Sequence, residues 1–105
     1  MVSVLSSIER EKVSEVFKSL KYEDIDRLKE LIEEDPDLVN ARSSADRTPL
    51  HTAARRGFIE AVELLIDKGA DLEAKDYREW TPLDWAIDQD QQDVVQLIKS
   101  KSSSA

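Results

Sequence analysis

Thr48-Pro49-Leu50 recurs as Thr81-Pro82-Leu83 at an offset of 33 residues. A fixed period of that size marks a chain built from stacked, self-similar units. At the same offset Ala86 answers Ala53, Val95 answers Val62, and Leu97-Ile98 answer Leu64-Leu65. In the other direction Leu28 answers Ala61, Leu31-Ile32 answer Leu64-Leu65, and Ala41-Arg42 answer Ala74-Lys75. Within the best-defined unit, Thr48 can cap a helix with its hydroxyl, and Pro49 suits the first helical turn, where its missing N–H has no partner to lose. Leu50, Ala53 and Ala54 fall on one face of a short helix. Phe58, Ala61, Val62 and Leu65 mark a second at spacings i, i+3, i+4 and i+7. Gly57 parts the two, and Gly69 stands where a helix end needs a residue tolerant of positive φ. Helices this short bury their apolar stripes only against neighbours built the same way.

Thr48-Pro49-Leu50-His51, Ala53-Ala54 and Gly57, repeated with this period, resemble the ankyrin repeat family. The resemblance is strong over 48–80, good over 81–98 and degenerate over 15–47. It implies an all-α solenoid of stacked antiparallel helix pairs joined by β-turn fingers at Ser43–Arg47 and Asp76–Trp80. The expected organisation is a single domain, 1–105. Residues 4–47 form an N-terminal cap helix and a degenerate first repeat, 48–80 a full repeat, 81–100 a C-terminal capping repeat and 101–105 a frayed tail. Ankyrin repeats usually carry a glycine in the finger, where this chain has Asp46 and Glu79. Aspartate tolerates the left-handed region moderately and glutamate poorly, so the second finger is expected to be strained or to adopt a different turn. The family uses its Thr-Pro-Leu-His histidine in hydrogen bonds between adjacent turns. The exchange of His51 for Asp84 in the last repeat therefore fits an end cap.

At the N-terminus, residues 4–20 read as one amphipathic helix. Ser6 and Glu9 can form a capping box, and Val13, Val16, Phe17 and Leu20 make a helical stripe. Its charged outer face carries Glu9, Arg10, Lys12 and Lys18. End repeats of a solenoid are atypical because one side meets water. A second helix is expected from about Tyr22 to Glu34, with Ile25, Leu28, Leu31 and Ile32 inward, ended by Pro36 acting on Asp35. The acidic run Glu33 to Asp37 lacks the loop glycine and alternating spacing of a calcium site and reads as a solvated helix end.

Composition narrows function. The 105 residues are 40% apolar and 36% charged, with no cysteine and a net charge of −8. Disulfide and thiolate chemistry are excluded, and the acidic balance argues against generic nucleic-acid or anionic-membrane binding. Residues 2–8 are too short for a secretory apolar core, and no run approaches the roughly 20 apolar residues that span a bilayer. A cytoplasmic monomer is the expectation. His51 is the only histidine, so catalytic triads have at most one base. Asp84 and Asp88 share a helix face at i, i+4, where two carboxylates can meet, but a hydrolytic or metal role needs further ligands and a pocket. No glycine-rich phosphate loop is present. No catalytic, metal or cofactor role is therefore assigned.

Function is then expected in a surface. By the resemblance, the partner-binding face comprises Ser44, Ala45 and Arg47 on the first finger and Arg55 and Arg56 at the end of the middle repeat's first helix. Tyr77, Arg78 and Trp80 on the second finger complete it, with Asp88 and Gln89 of the last repeat. Tyrosine, tryptophan and arginine are the types enriched at interface hot spots, and arginine gives bidentate contacts to carboxylates. The leading expectation is a non-enzymatic module binding another protein, favouring an acidic segment. A module holding ligand or nucleic-acid phosphates on the same arginines is an alternative. Another is a scaffold piece that oligomerises through its ends, where Ile87 stands in the slot of Ala54. The bland reading pairs Arg56 with Glu60 and Arg78 with Asp76 or Glu79 as ordinary surface ion pairs, packs Trp80 on the neighbouring finger and places Trp85 in the core.

Overall fold

The computed structural model describes residues 2–102, with side-chain surroundings from residue 10 onward. Among these residues there are six α-helices and no strand. Helix α1 spans Val2–Lys21 and α2 Ile25–Glu34; a short 3₁₀ turn, Pro36–Asn40, follows. The middle repeat holds α3, Pro49–Arg56, and α4, Ile59–Asp67. The last holds α5, Pro82–Asp88, and α6, Gln92–Ser102. Consecutive helices pair antiparallel, and like helices pack side by side: α3 lies between α1 and α5, and α4 between α2 and α6. This is the expected all-α solenoid. No helix among the described residues is long and apolar enough to cross a membrane.

The core follows the 33-residue register. Leu28, Leu50, Ala53, Ala54, Ala61, Val62, Leu65 and Ala86 are fully enclosed, with Ile32, Val94 and Ile98 nearly so. Each large aliphatic buried in this way contributes about 1.5–3 kcal/mol. The stripe on α1 divides. Val16 and Leu20 are enclosed, whereas Val13 and Phe17 stay half-exposed.

Local chemistry sets the helix ends. Thr48 Oγ1 accepts from His51 N–H at 3.3 Å and Thr81 Oγ1 from Asp84 N–H at 3.2 Å, with Pro49 and Pro82 opening each helix. Gly57 ends α3 at φ 72°, and Gly69 follows α4 at φ 96°. A Cβ at Gly57 would also collide with the Gln91 side chain. In the last repeat Asp90 takes Gly57's place at φ 56°. Gln91, in the slot of Phe58, reaches back to donate to the Arg55 carbonyl at 3.1 Å. Phe58 itself precedes α4 as its N-cap residue.

Three expectations are corrected. Helix α1 is already running at Ser6, so no cap forms there; the Glu9 side chain lies outside the described residues. The second helix begins at Ile25, not Tyr22. Glu23 turns the chain at φ 54° and Asp24 caps the helix by accepting from Arg27 N–H at 3.1 Å. The last helix runs to Ser102, whose hydroxyl donates to the Ile98 carbonyl at 2.8 Å, so Ser100 to Ser102 are helical. Ser103 to Ala105 lie outside the described residues.

The second finger, expected to be strained or to adopt a different turn, keeps the turn of the first and carries the strain at Glu79. Ser43 N–H donates to Arg47 O and Asp76 N–H to Trp80 O, both at 2.9 Å. Asp46 N–H donates to Ser43 O and Glu79 N–H to Asp76 O, again both at 2.9 Å. Asp46 and Glu79 sit at φ 59° and 66°. Hydrogen bonding to the neighbouring finger and cap holds Glu79 in a conformation its side chain disfavours.

Candidate functional site at the fingers and first helices

Each finger is organised by its first residue. In the first, Ser43 Oγ accepts from Ala45 N–H at 3.3 Å and Arg47 N–H at 3.4 Å. In the second, Asp76 Oδ1 accepts from Arg78 N–H at 2.9 Å and Trp80 N–H at 3.1 Å, and its Oδ2 takes Trp85 Nε1–H at 2.7 Å. Asp76 is buried, and burial opposes its ionisation. The hydrogen bonds from Trp85, Trp80 and Arg78, with the His51 charge, overcome that and hold its carboxyl below the ordinary value. A buried anion thus fixes the Trp85 indole from below.

Around that indole the arginines gather. The guanidinium carbons of Arg47, Arg55 and Arg78 lie 4.8, 5.8 and 5.7 Å from the Trp85 ring centroid. Trp80 packs on the same indole at 4.8 Å between centroids, inclined by 58°. Cations over an aromatic face gain about 0.5–2 kcal/mol each, more where water is excluded. Arg47 Nε approaches Asp76 Oδ2 to 3.7 Å, an ion pair too long for a hydrogen bond. The Nε atoms of both Arg47 and Arg55 are buried without a hydrogen-bond partner. Burial, then the charges of Arg47 and Arg56, press Arg55 below its ordinary value; a guanidinium nonetheless stays protonated. Arg78 donates Nε–H to the Tyr77 hydroxyl at 3.0 Å and feels the charges of Asp76 and Asp88.

Of the ten residues expected on this face, Arg47, Arg55, Arg78 and Trp80 converge on Trp85, with Tyr77 beside Arg78. Asp88 and Gln89 stand exposed at the end of α5, where Gln89 Nε2–H donates to Asp88 at 2.7 Å. Ser44 is exposed on the first finger. The neighbouring Ala45 carbonyl accepts from Tyr77 N–H at 3.3 Å, which joins the two fingers. Arg56 departs from the group: its Nη2 donates to the Lys21 carbonyl at 3.0 Å and tethers α3 to the end of α1. It remains exposed, and no Arg56–Glu60 ion pair forms among the described residues. Asp84 accepts from Thr81 N–H at 2.9 Å, and Asp88 holds Gln89, so the two carboxylates are engaged separately.

Two residues escaped sequence reasoning. A tryptophan inside a first helix reads as core, and Trp85 is indeed buried, yet it forms the floor on which the arginines rest. Asp76 shares its slot with Ser43, so its turn-forming role could be read, but its bond to Trp85 depends on tertiary contact. His51 ties this floor to the stack. Its Nδ1 accepts from Thr48 N–H at 3.1 Å, which leaves Nε2–H to donate to the Trp80 carbonyl at 2.8 Å. Burial drives its pKa below the ordinary 6.5, against the opposing pull of the Trp80 carbonyl and Asp76.

Comparison with known proteins agrees with this architecture. The family profile "Ankyrin repeats (3 copies)" matches residues 16–104. Serine/threonine-protein kinase VIK of Arabidopsis thaliana is 44% identical over 73 residues, which is 70% of this chain and 17% of the kinase. Ankyrin repeat and SAM domain-containing protein 6 of Mus musculus is 30% identical over 96 residues, 90% of this chain and 11% of that protein. Potassium channel AKT1 of Arabidopsis thaliana is 35% identical over 74 residues, covering 70% and 8%. The chain thus spans 17% or less of the length of these relatives. With its paired helices, its matched fingers and this agreement over most of its length, the chain belongs to the ankyrin repeat family.

Proposed function

We propose that this chain is a non-catalytic interaction module that binds a partner protein through its finger and first-helix side, with preference for an acidic segment. Ankyrin repeats generally mediate protein–protein interaction. The observation that carries the finer reading is the crowding of three guanidinium groups on the Trp85 indole, two of them with a buried Nε lacking a hydrogen bond. Like charges held together in partly desolvated surroundings repel one another, and an incoming carboxylate relieves that repulsion. Rigid aromatic and arginine anchors around one centre are also the composition of an interface hot spot.

The experiment is capture by wild type and by the Arg55→Ala/Arg78→Ala double variant. Arg47 and Arg56 are left intact because they hold Asp76 and the Lys21 carbonyl. Helical circular dichroism should be unchanged and capture lost in the variant. Full capture by a folded variant would refute the assignment of this face.

A further inference from the structure

The two fingers share the hydrogen bonds that close each turn but differ in their bonds to the preceding unit. Tyr77 N–H donates to the Ala45 carbonyl of the preceding finger. Its counterpart at the 33-residue offset is Ser44 N–H, whose acceptor would have to come from a finger before the first. No such finger exists among the described residues; the extended N-terminal part of α1 runs there instead. A helix interior spends its carbonyls on its own ladder, so it offers Ser44 no acceptor. Ser44 N–H has no hydrogen-bond partner among the described residues.

The mismatch between helix and finger opens a groove of about 700 Å³ between Arg10, Val13, Ser14 and Phe17 of α1 and the first finger. Val13 and Phe17 give it an apolar floor, which is why they stay half-exposed while Val16 and Leu20 are enclosed. Arg42 is spent on the stack: its Nη1 donates to the carbonyls of Asp46 at 2.8 Å and Lys75 at 2.7 Å. Arg10 is exposed and has no ion-pair partner among the described residues.

We infer that this groove receives an extended peptide segment of the partner. One peptide carbonyl accepts from Ser44 N–H, one large apolar side chain rests on Val13 and Phe17, and an adjacent carboxylate meets Arg10. An unpaired backbone N–H on the turn beside an apolar slot offers an extended peptide one main-chain hydrogen bond and one side-chain seat. Ser44 and Ala45 connect the groove to the second finger through the Ala45–Tyr77 bond, so one extended segment can run from Arg10 to the arginines on Trp85. The inference rests on the reading that this side of the molecule takes an acidic partner and adds a requirement: an apolar anchor within the acidic segment.

Two short fluorescein-labelled peptides test it by anisotropy. Both are glutamate-rich; one carries a central phenylalanine and the other serine in its place. The groove predicts that the phenylalanine peptide binds tighter to the wild type, on the order of tenfold. The preference should vanish in Val13→Glu, and the Ser44 amide should shift and gain exchange protection when the peptide binds. Should Val13→Glu lose helical circular dichroism, the exposed Arg10→Glu variant decides, with an expected loss of about tenfold for the phenylalanine peptide.

Equal affinity of the two peptides for wild type, or a preference that survives in the folded variant, overturns the groove. If Arg55→Ala/Arg78→Ala then still abolishes binding, the arginine face stands without it. If neither peptide binds, both readings fall.

Discussion

The turn at Thr48 and the turn at Thr81 begin alike. Both use a threonine cap, a proline at the first helical position and a third residue whose side chain returns to the threonine N–H. In the middle repeat that residue is His51, which has a second ring nitrogen and spends it on the Trp80 carbonyl of the next finger. In the last repeat it is Asp84, which performs the local half alone. A capping box is thus a helix signal in both places, but only a side chain with a second reach turns it into a tie between repeats. The burial pattern agrees: Leu50 and Ala54 are sealed by α5 and its finger, while Leu83 is half-buried and Ile87 is 55% exposed.

The largest effect that separates these regions is expected in the core. Leu65 is fully buried, with neighbours on both sides, and Leu65→Ala should cost about 2–5 kcal/mol in urea unfolding. Ile98 is its counterpart in a repeat open on one side, so Ile98→Ala should fall toward the lower end of that range. Equal losses would mean that the end repeat is as constrained as the middle one. Next comes the exchange of caps. His51→Asp retains the local box but leaves the Trp80 carbonyl without its donor, a loss of about 1–3 kcal/mol. Asp84→His, with no later finger among the described residues, should be close to neutral in this chain.

Acidification examines the same tie without changing its packing. The unfolded His51 imidazole takes up a proton near pH 6.5, whereas the folded one, buried and accepting from Thr48 N–H, resists it. Stability is therefore complete above pH 6.5 and falls as pH drops below that value through the folded pKa. Because His51 is the only histidine, His51→Gln, which can still return to the threonine N–H, should flatten this limb of the stability–pH curve. A limb that persists in the variant would assign the effect elsewhere. A small effect of opposite sign is expected at the fingers. Glu79→Gly should stabilise by up to about 1 kcal/mol, since relief of a left-handed residue is partly offset by glycine's chain entropy. Asp46→Gly should do less.

Much of the fold could be read from the chain because the repeat places each helix by its own local signals: Thr-Pro caps, the glycines at 57 and 69, and stripes such as Ala61, Val62 and Leu65. Features decided by tertiary contact were harder to see. Glu79 argued for strain or a different turn because propensity alone disfavours it; the finger's own hydrogen bonds keep the turn, and the strain stays at Glu79. Ser6 resembled a cap because its residue type is right, although nothing in the local sequence stops the helix from starting earlier. At the candidate site the arginines were legible by register and type. Their common floor was not, because a buried tryptophan bonded to a buried aspartate looks the same in sequence as any core aromatic. Register did not separate Arg55 from Arg56: Arg55 faces Trp85, while one step along the helix Arg56 donates to the end of α1.

The most direct measurement uses the chain's own chromophores. Its two tryptophans, Trp80 and Trp85, pack on each other under the arginines, so intrinsic emission reports on this site. Titration with the captured partner should give a saturable change in tryptophan emission, with the apparent Kd weakened by about tenfold or more in Arg55→Ala/Arg78→Ala. A partner that binds with unchanged emission, and with equal affinity for the variant, would contradict the account.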